Sequence, residues 1–511
     1  MGLLESEGTR LSDDYYVGMD LGTVNSCLAY VDRNGEVKIA YGTDGRDILP
    51  SVVFFTEQGK IVGNRAKELS SNNLNSVVSG FKKQMGTRYT RKIQDRPYTS
   101  TELSAIVLKK LISDFEKTKD FQVKKAVITV PGEYGDAERN ATLEAARIVG
   151  IEQAELLNES VAAALSYGIG RGDAVNRTII VFDLGGGTFD ATVLKISNGN
   201  FQTLSLEGNK NLGGRDWDLQ LASIIQKKVL DTVGLSAEDI ESDAMFRKNI
   251  MHEAEKQKEL LTFQNKVVST IDVNGTSVMY TVRREELEEA TTWLMTKTIE
   301  LVGSALRNAK LQMNSIDEIV LVGGATLMPQ VMRSLEDAYP STDIQFFDPE
   351  HAVARGAAIY AESIFGKRDI SVVNVLSRTF GIMAGIDGQE KVCNILYRNV
   401  PLPMESTLMC RPKRDDQENL QISVYKSNAK LGEDYIDPAK ARLVSTFTFP
   451  LSGKISRGRT RLAIRFAADI EGRLRVSVDC NGKIVNCDLS ESVSLSEEEI
   501  LEAELKVRGV V

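Results

Sequence analysis

Three glycines set between two carboxylates are the chain's clearest chemical signal. Ile179-Ile-Val-Phe-Asp183-Leu-Gly185-Gly186-Gly187-Thr188-Phe-Asp190 is an apolar run of β-formers that ends in an acid, three glycines and a hydroxyl. Ala191-Thr-Val-Leu-Lys-Ile follows, so the stretch reads as a strand, a tight glycine turn and a returning strand. Glycines at such a turn let backbone N–H groups close on an anion with no Cβ in the way. A carboxylate on either side can hold a hydrated divalent cation. Nucleotide phosphate with magnesium is the chemistry this suits, although a plain hairpin has the same letters.

A second copy weighs against the plain hairpin. Val17-Gly-Met-Asp20-Leu-Gly22-Thr23-Val24 repeats the acid, leucine, glycine and hydroxyl between two apolar runs. Two such hairpins predict similar half-domains facing each other across a cleft, each offering a loop to the same phosphates. A third glycine turn ends Glu318-Ile-Val-Leu-Val-Gly323-Gly324, where a glycine pair admits a flat ring or a phosphate, or serves tight helix–strand packing. Glu159 stands where a short strand turns into an alanine-rich helix, and by local sequence it reads equally as a helix cap. Glu255, Lys258 and Thr262, at i, i+3 and i+7, share one helical face that local sequence alone reads as solvated.

The elements that must position these residues alternate. From Tyr15 to about Phe365 short β-rich runs such as Lys125-Ala-Val-Ile-Thr-Val interleave with amphipathic runs such as Ala137 to Arg147, the pattern of an α/β architecture. After Asn374 the chain is strand upon strand with turn signals, which predicts a separate β-sandwich. Ser496, followed by three glutamates, then starts a helix.

Composition narrows the chemistry. The chain has 511 residues, 42% of them hydrophobic, enough for several cores. A net charge of −9 argues against nucleic-acid or membrane-surface partners. Five cysteines without CxxC spacing indicate neither a disulfide framework nor a zinc site. With no apolar run near the roughly 18 residues of a membrane span, a cytoplasmic protein is expected. Only two histidines are present, so any catalysis runs on carboxylates, lysine, hydroxyls and metal.

At this point the motifs resemble those of the 70-kilodalton heat-shock chaperones, the DnaK family. Asp20-Leu-Gly-Thr, Phe182 to Asp190, Asn211-Leu-Gly-Gly-Arg-Asp-Trp-Asp218 and Val320 to Pro329 occur in that family's order and spacing, and the likeness runs from Tyr15 to about Leu505. The resemblance implies a two-lobed actin-like (ribonuclease H-like) α/β ATPase domain over 15–366, a linker over 367–376 and a β-sandwich substrate-binding domain over 377–490. A polar tail (1–14) precedes these, and the start of a C-terminal helix (491–511), without a lid, follows. It implies ATP/ADP and Mg2+ as cofactors. Asp20 and Asp183 are implied to hold magnesium through water, and Gly22, Thr23, Val24, Gly185, Gly186, Gly187 and Thr188 to surround the phosphates. Lys82, Glu159, Asp183, Thr188 and Asp190 are the implied catalytic residues, with Lys82, Asp190 and either Glu159 or Asp183 serving the attacking water; Glu255, Lys258 and Thr262 would take the adenosine, and Gly323 and Gly324 the adenine-side turn. Ile382, Leu420 and Ile422 match positions lining a peptide cleft, which would take unfolded or extended hydrophobic polypeptides. J-domain co-chaperones and a nucleotide-exchange factor are implied partners.

The chain departs from the family pattern at several points. Ser160 stands where a proline tied to interdomain signalling is usual, Val24 where a threonine is, Ala325 where a serine is and Leu327 where an arginine packs on adenine. Gly385 replaces a large residue of the arch. ATP is therefore expected to bind less tightly than is usual. The reading is an ATP-dependent chaperone and a slow ATPase. Its alternatives are an atypical member that binds ATP with little hydrolysis and acts as a co-chaperone or scaffold, and a sugar or acetate kinase of the same fold.

Overall fold

The computed structural model describes residues 15–69, 76–170, 176–235, 244–273, 275–386, 388–451, 455–470, 472–488 and 495–510. The polar tail and the first residues assigned to the C-terminal segment lie outside them.

Two six-stranded sheets carry the two glycine hairpins, and they are built alike. In the first, the antiparallel hairpin Tyr16–Asp20 and Asn25–Val31 is extended on one side by the parallel strands Lys125–Val130 and Gln153–Asn158. In the second, Arg177–Leu184 and Phe189–Ser197 form the hairpin, and Glu318–Val322 and Asp343–Phe346 run parallel beside it. Of the parallel strands, the inner two, Lys125–Val130 and Glu318–Val322, are mostly apolar and buried because helices cover both faces. One outer core joins Met19 and Leu28 to Leu103, Ile106 and Phe115 of the helix Ser100–Lys119. The other joins Phe182, Phe189 and Val193 to Trp217, Leu221 and Ile225 of the helix Gly214–Val233.

A third core lies between the sheets, and small residues make it possible. The helices Glu159–Gly170 and Ala352–Phe365 are rich in alanine and meet there. A Cβ on Gly356 would stand 1.7 Å from the Ala162 carbonyl oxygen, and one on Gly18 would stand 2.0 Å from the Ala358 nitrogen. Glycine is thus required where backbone meets backbone. This seam holds the lobes at the spacing that opens a cleft between their hairpins.

The C-terminal region is a sandwich of two antiparallel sheets. Five strands, among them Thr379–Ile386, Gln389–Leu396 and Asn419–Ser427, face four, Met404–Cys410, Leu462–Ala468, Leu474–Cys480 and Lys483–Asp488. Phe380, Leu396, Ile422 and Phe449 interdigitate with Ile464, Phe466 and Val476. Within the stretch assigned to the linker, Ser371–Val373 adds a parallel edge strand beside Asn200–Asn209. The final helix, Glu497–Val507, starts with a capping box of Ser496 and Glu499 and buries Ile500, Ala503 and Val507 in the core of the first lobe.

Candidate active site

The hairpins leave a cleft of about 420 Å³ between the lobes. Asp20, Gly22, Thr23, Val24, Lys82, Glu159, Asp183, Gly185, Gly186, Thr188, Glu255, Lys258, Thr262, Gly323 and Gly324 all line it. Gly187 and Asp190 lie behind its wall: a Cβ on Gly187 would stand 2.7 Å from Lys83 Cε and 2.8 Å from Thr23 Cγ2.

The loops are held shut on themselves. Gly22 N donates to Ser26 Oγ at 3.1 Å, and Ser51 Oγ, 2.9 Å from that hydroxyl, donates to the Gly22 carbonyl. A Cβ on Gly186 would stand 2.2 Å from Val24 Cγ2, so the hairpins touch through that pair. Gly323, at φ +85°, abuts the Leu184 carbonyl, whereas Gly324 faces open space. Glycine here leaves backbone bare toward the cleft, the surface an anion or flat ring needs.

At the floor Lys82 Nζ donates to Glu159 Oε1 at 2.7 Å, with only 4% of the lysine side chain exposed. Burial works against its charge, and Glu159, Tyr134 and Asp20 outweigh that, so the ammonium is held above its usual range. Burial and the negative charge of Glu159 push the Asp20 carboxyl up to about 7, against Lys82 and a 3.2 Å hydrogen bond from Thr129. Burial raises Asp183 too, reinforced by Glu159, Asp190 and Asp20. Asp190, whose Oδ2 accepts from Gly132 N at 2.8 Å, is pushed up to about 8 by burial and then by Glu133. Acids crowded in this way call for a cation.

Among the described residues no three acid, histidine or cysteine side chains cluster closely enough to hold a metal by themselves. The donor set fits magnesium of the kind bound by one or two carboxylates, several waters and substrate phosphates.

The helix Ala244–Phe263 presents its acid and lysine inward. Lys258 Nζ bonds Asp218 Oδ1 at 2.6 Å and the Gly214 carbonyl at 3.1 Å. Glu255 reaches across the lobes to Lys67 at 2.8 Å. This face is partly buried and borders the cleft, with Glu255 tied to the opposite lobe and Lys258 to its own. Thr262, Phe263, Gly324 and Leu327 also line the cleft.

The three residues matched to a peptide cleft lie in the sandwich. Ile382 and Ile422 are buried between its sheets, and Leu420 packs half-buried against that core. A side chain added at Gly385 would meet nothing within 4 Å. Ser160 is buried, and its hydroxyl has no partner.

The family described as "Hsp70 protein" matches residues 16–99 and 90–506. The chain belongs to the Hsp70 family. Curated relatives agree: the "Chaperone protein DnaK" of Thermotoga neapolitana is 34% identical over 502 residues, covering 95% of this chain and 82% of that protein. Those of Thermosipho africanus and Mycoplasma mobile are each 33% identical, over 95% and 96% of this chain and 82% and 80% of theirs. With Hsp70 membership come ATPase activity and ATP-dependent chaperone function, and the actin-like domain and β-sandwich of the family account for the sheets above.

Several supporting residues escape sequence reasoning. Ser26 and Thr129 are ordinary strand residues, and Ser51 an ordinary residue between two strands, until the fold sets them against the hairpins. Asp218 closes the motif that starts at Asn211, and that position was its one available signal.

Proposed function

We propose that this Hsp70 protein hydrolyses ATP in the cleft between its lobes and uses hydrolysis to change how its β-sandwich holds extended hydrophobic segments. The observation that carries the site assignment is the buried Lys82–Glu159 ion pair lying below both glycine hairpins, with Asp20 and Asp183 beside it. Lys82 offsets charge that develops on the transferred phosphoryl, the hairpin N–H groups fix its position, and Glu159 orients the attacking water. Magnesium, when bound, would supply further positive charge at the phosphates, with Asp20 and Asp183 behind its water shell. Asp190 supports the water site from behind. Thr262, Gly323, Gly324, Glu255 and Lys258 take the nucleoside end.

Extended hydrophobic polypeptide is the substrate of the sandwich, in a strand-addition mode. J-domain and nucleotide-exchange partners, and a cytoplasmic location, belong to the same reading. Among the described residues no helix is long and apolar enough to cross a membrane.

Single-turnover ATP hydrolysis, with and without an extended hydrophobic peptide, tests the whole reading. Hydrolysis accelerated by peptide is expected. Tight binding without turnover would move the protein to the nucleotide-gated scaffold. Lys82→Ala should slow hydrolysis at least about a hundredfold while Mg-ATP still binds. Equal turnover in that variant would remove Lys82 from the chemistry.

A further inference from the structure

We propose that Arg215 is a second phosphate-binding cation of the cleft, reaching from one lobe toward the terminal phosphate of ATP and so separating ATP from ADP. The inference rests on the ATPase reading and adds to it a residue with a defined effect on nucleotide choice.

The backbone of Arg215 is pinned to the phosphate hairpin. It is the second residue of the 20-residue helix Gly214–Val233. Gly214 N and Arg215 N donate to the carbonyls of Gly185 and Gly186, each at 2.9 Å. A Cβ on Gly213 would stand 2.5 Å from Gly187 N, so the helix start and the hairpin are in van der Waals contact. A shift of one moves the other.

Its side chain crosses to the opposite lobe. The Nη1 atom lies 2.5 Å from where a Cβ on Gly80 would stand. Gly80, at φ +67°, precedes the short turn Phe81–Gln84 that carries Lys82. Arg215 borders both the main cleft and a neighbouring cavity of about 190 Å³, forming part of the wall between them.

Among the cations that line the cleft, charge pairing sets this residue apart. Lys82 is engaged by Glu159, Lys258 by Asp218 and Lys67 by Glu255. Arg215 is exposed and, among the described residues, forms no ion pair. It can therefore bond a polyphosphate without breaking an existing pair. A guanidinium offers two parallel N–H donors that match two phosphate oxygens, and it keeps its charge at any working pH. On the Lys82 side of the hairpins it acts on the last phosphate, where negative charge accumulates during transfer and which ADP lacks.

The test compares wild type, Arg215→Gln and Arg215→Lys with Mg-ATP and Mg-ADP, by equilibrium competition binding and by single-turnover hydrolysis. Arg215→Gln is expected to weaken ATP roughly tenfold, leave ADP within about twofold and slow the single turnover roughly tenfold or more. Arg215→Lys, a point charge without the fork, should recover part of the ATP affinity and less of the rate. An unchanged ratio of ATP to ADP affinity in Arg215→Gln overturns the inference, as does an equal loss of both nucleotides. Thermal unfolding of each variant checks the fold, and the lysine variant carries the comparison should the glutamine variant unfold. A wild-type chain that binds neither nucleotide would instead overturn the ATPase reading, so the two failures are told apart.

Discussion

Asp190 shows what burial does to a single carboxyl. One oxygen accepts from Gly132 N, the other is buried without a partner, and the group is pushed up to about 8 by burial and by Glu133. A raised folded-state value means that the folded protein holds a proton where the unfolded chain has lost it. This group's contribution to stability is full below the ordinary value of 3.8 and is lost as pH rises toward 8. Asp190→Asn keeps the shape and removes the titration. Relative to the variant, wild type should lose roughly 1.4 kcal/mol per pH unit between about pH 5 and 8 and no more above that. Chemical denaturation at a series of pH values reads the difference; parallel curves for the two proteins would show that Asp190 does not titrate in this way. Phe263, 83% exposed, and Leu327, 37% exposed, both line the cleft. These apolar surfaces can grip a flat base where the family's arginine is missing. Phe263→Ala should weaken ATP and ADP alike, by roughly tenfold, since stacking on a base is worth about 1–2 kcal/mol. A loss confined to ATP would place Phe263 elsewhere in the mechanism.

At the scale of elements, the helix pair Glu159–Gly170 and Ala352–Phe365 sets the distance between the lobes. Its contact is backbone on backbone, and an added Cβ at Gly356 has no side chain to push aside, only the Ala162 carbonyl. Gly356→Ala should therefore cost about 3 kcal/mol or more and splay the cleft. Both melting temperature and nucleotide affinity are expected to fall. A variant that melts as wild type does would mean the seam can open without loss. The order of strands and helices that makes this seam was legible in the sequence, because periodicity reports which face of each element is apolar. The closeness of the seam was not legible: alanine and glycine in a helix read the same whether the neighbour is another helix or solvent.

Across the whole molecule, the sandwich is tied to the ATPase lobes by buried charge. Arg398 bonds Glu207 at 2.7 Å with both side chains almost fully covered, Arg378 bonds Glu133, and Asn399 Oδ1 accepts from Leu206 N at 2.9 Å. Removing one partner of such a pair leaves the other charge buried, a loss of about 2–5 kcal/mol. Arg398→Ala should release the sandwich, raising the radius of gyration in small-angle scattering and uncoupling peptide from hydrolysis. An unchanged radius would show that the strand Ser371–Val373 and the remaining contacts hold the sandwich by themselves. The ties link Glu133, just beyond the strand that ends at Val130, to Arg378 at the sandwich's first strand, so the same acid that raises Asp190 also touches the substrate domain.

The sequence by itself determined the two glycine hairpins, the third glycine turn, the change from α/β to all-β after Asn374 and the family. All of these are local patterns or linear orders of motifs, which need no knowledge of what lies across the fold. Only the tertiary structure decided which side chains share a space. Lys82 and Glu159 are 77 residues apart, and Lys67 and Glu255 are 188 apart, yet each pair is in contact. It also decided which side chains are engaged: Glu255 and Lys258 look solvated on a lone helix, yet Glu255 pairs with Lys67 of the opposite lobe and Lys258 with Asp218 of its own, and Ile382 and Ile422 are buried between the sheets of the sandwich. Alternation along a strand tells that one face is apolar, and burial depends on what the rest of the chain brings against that face.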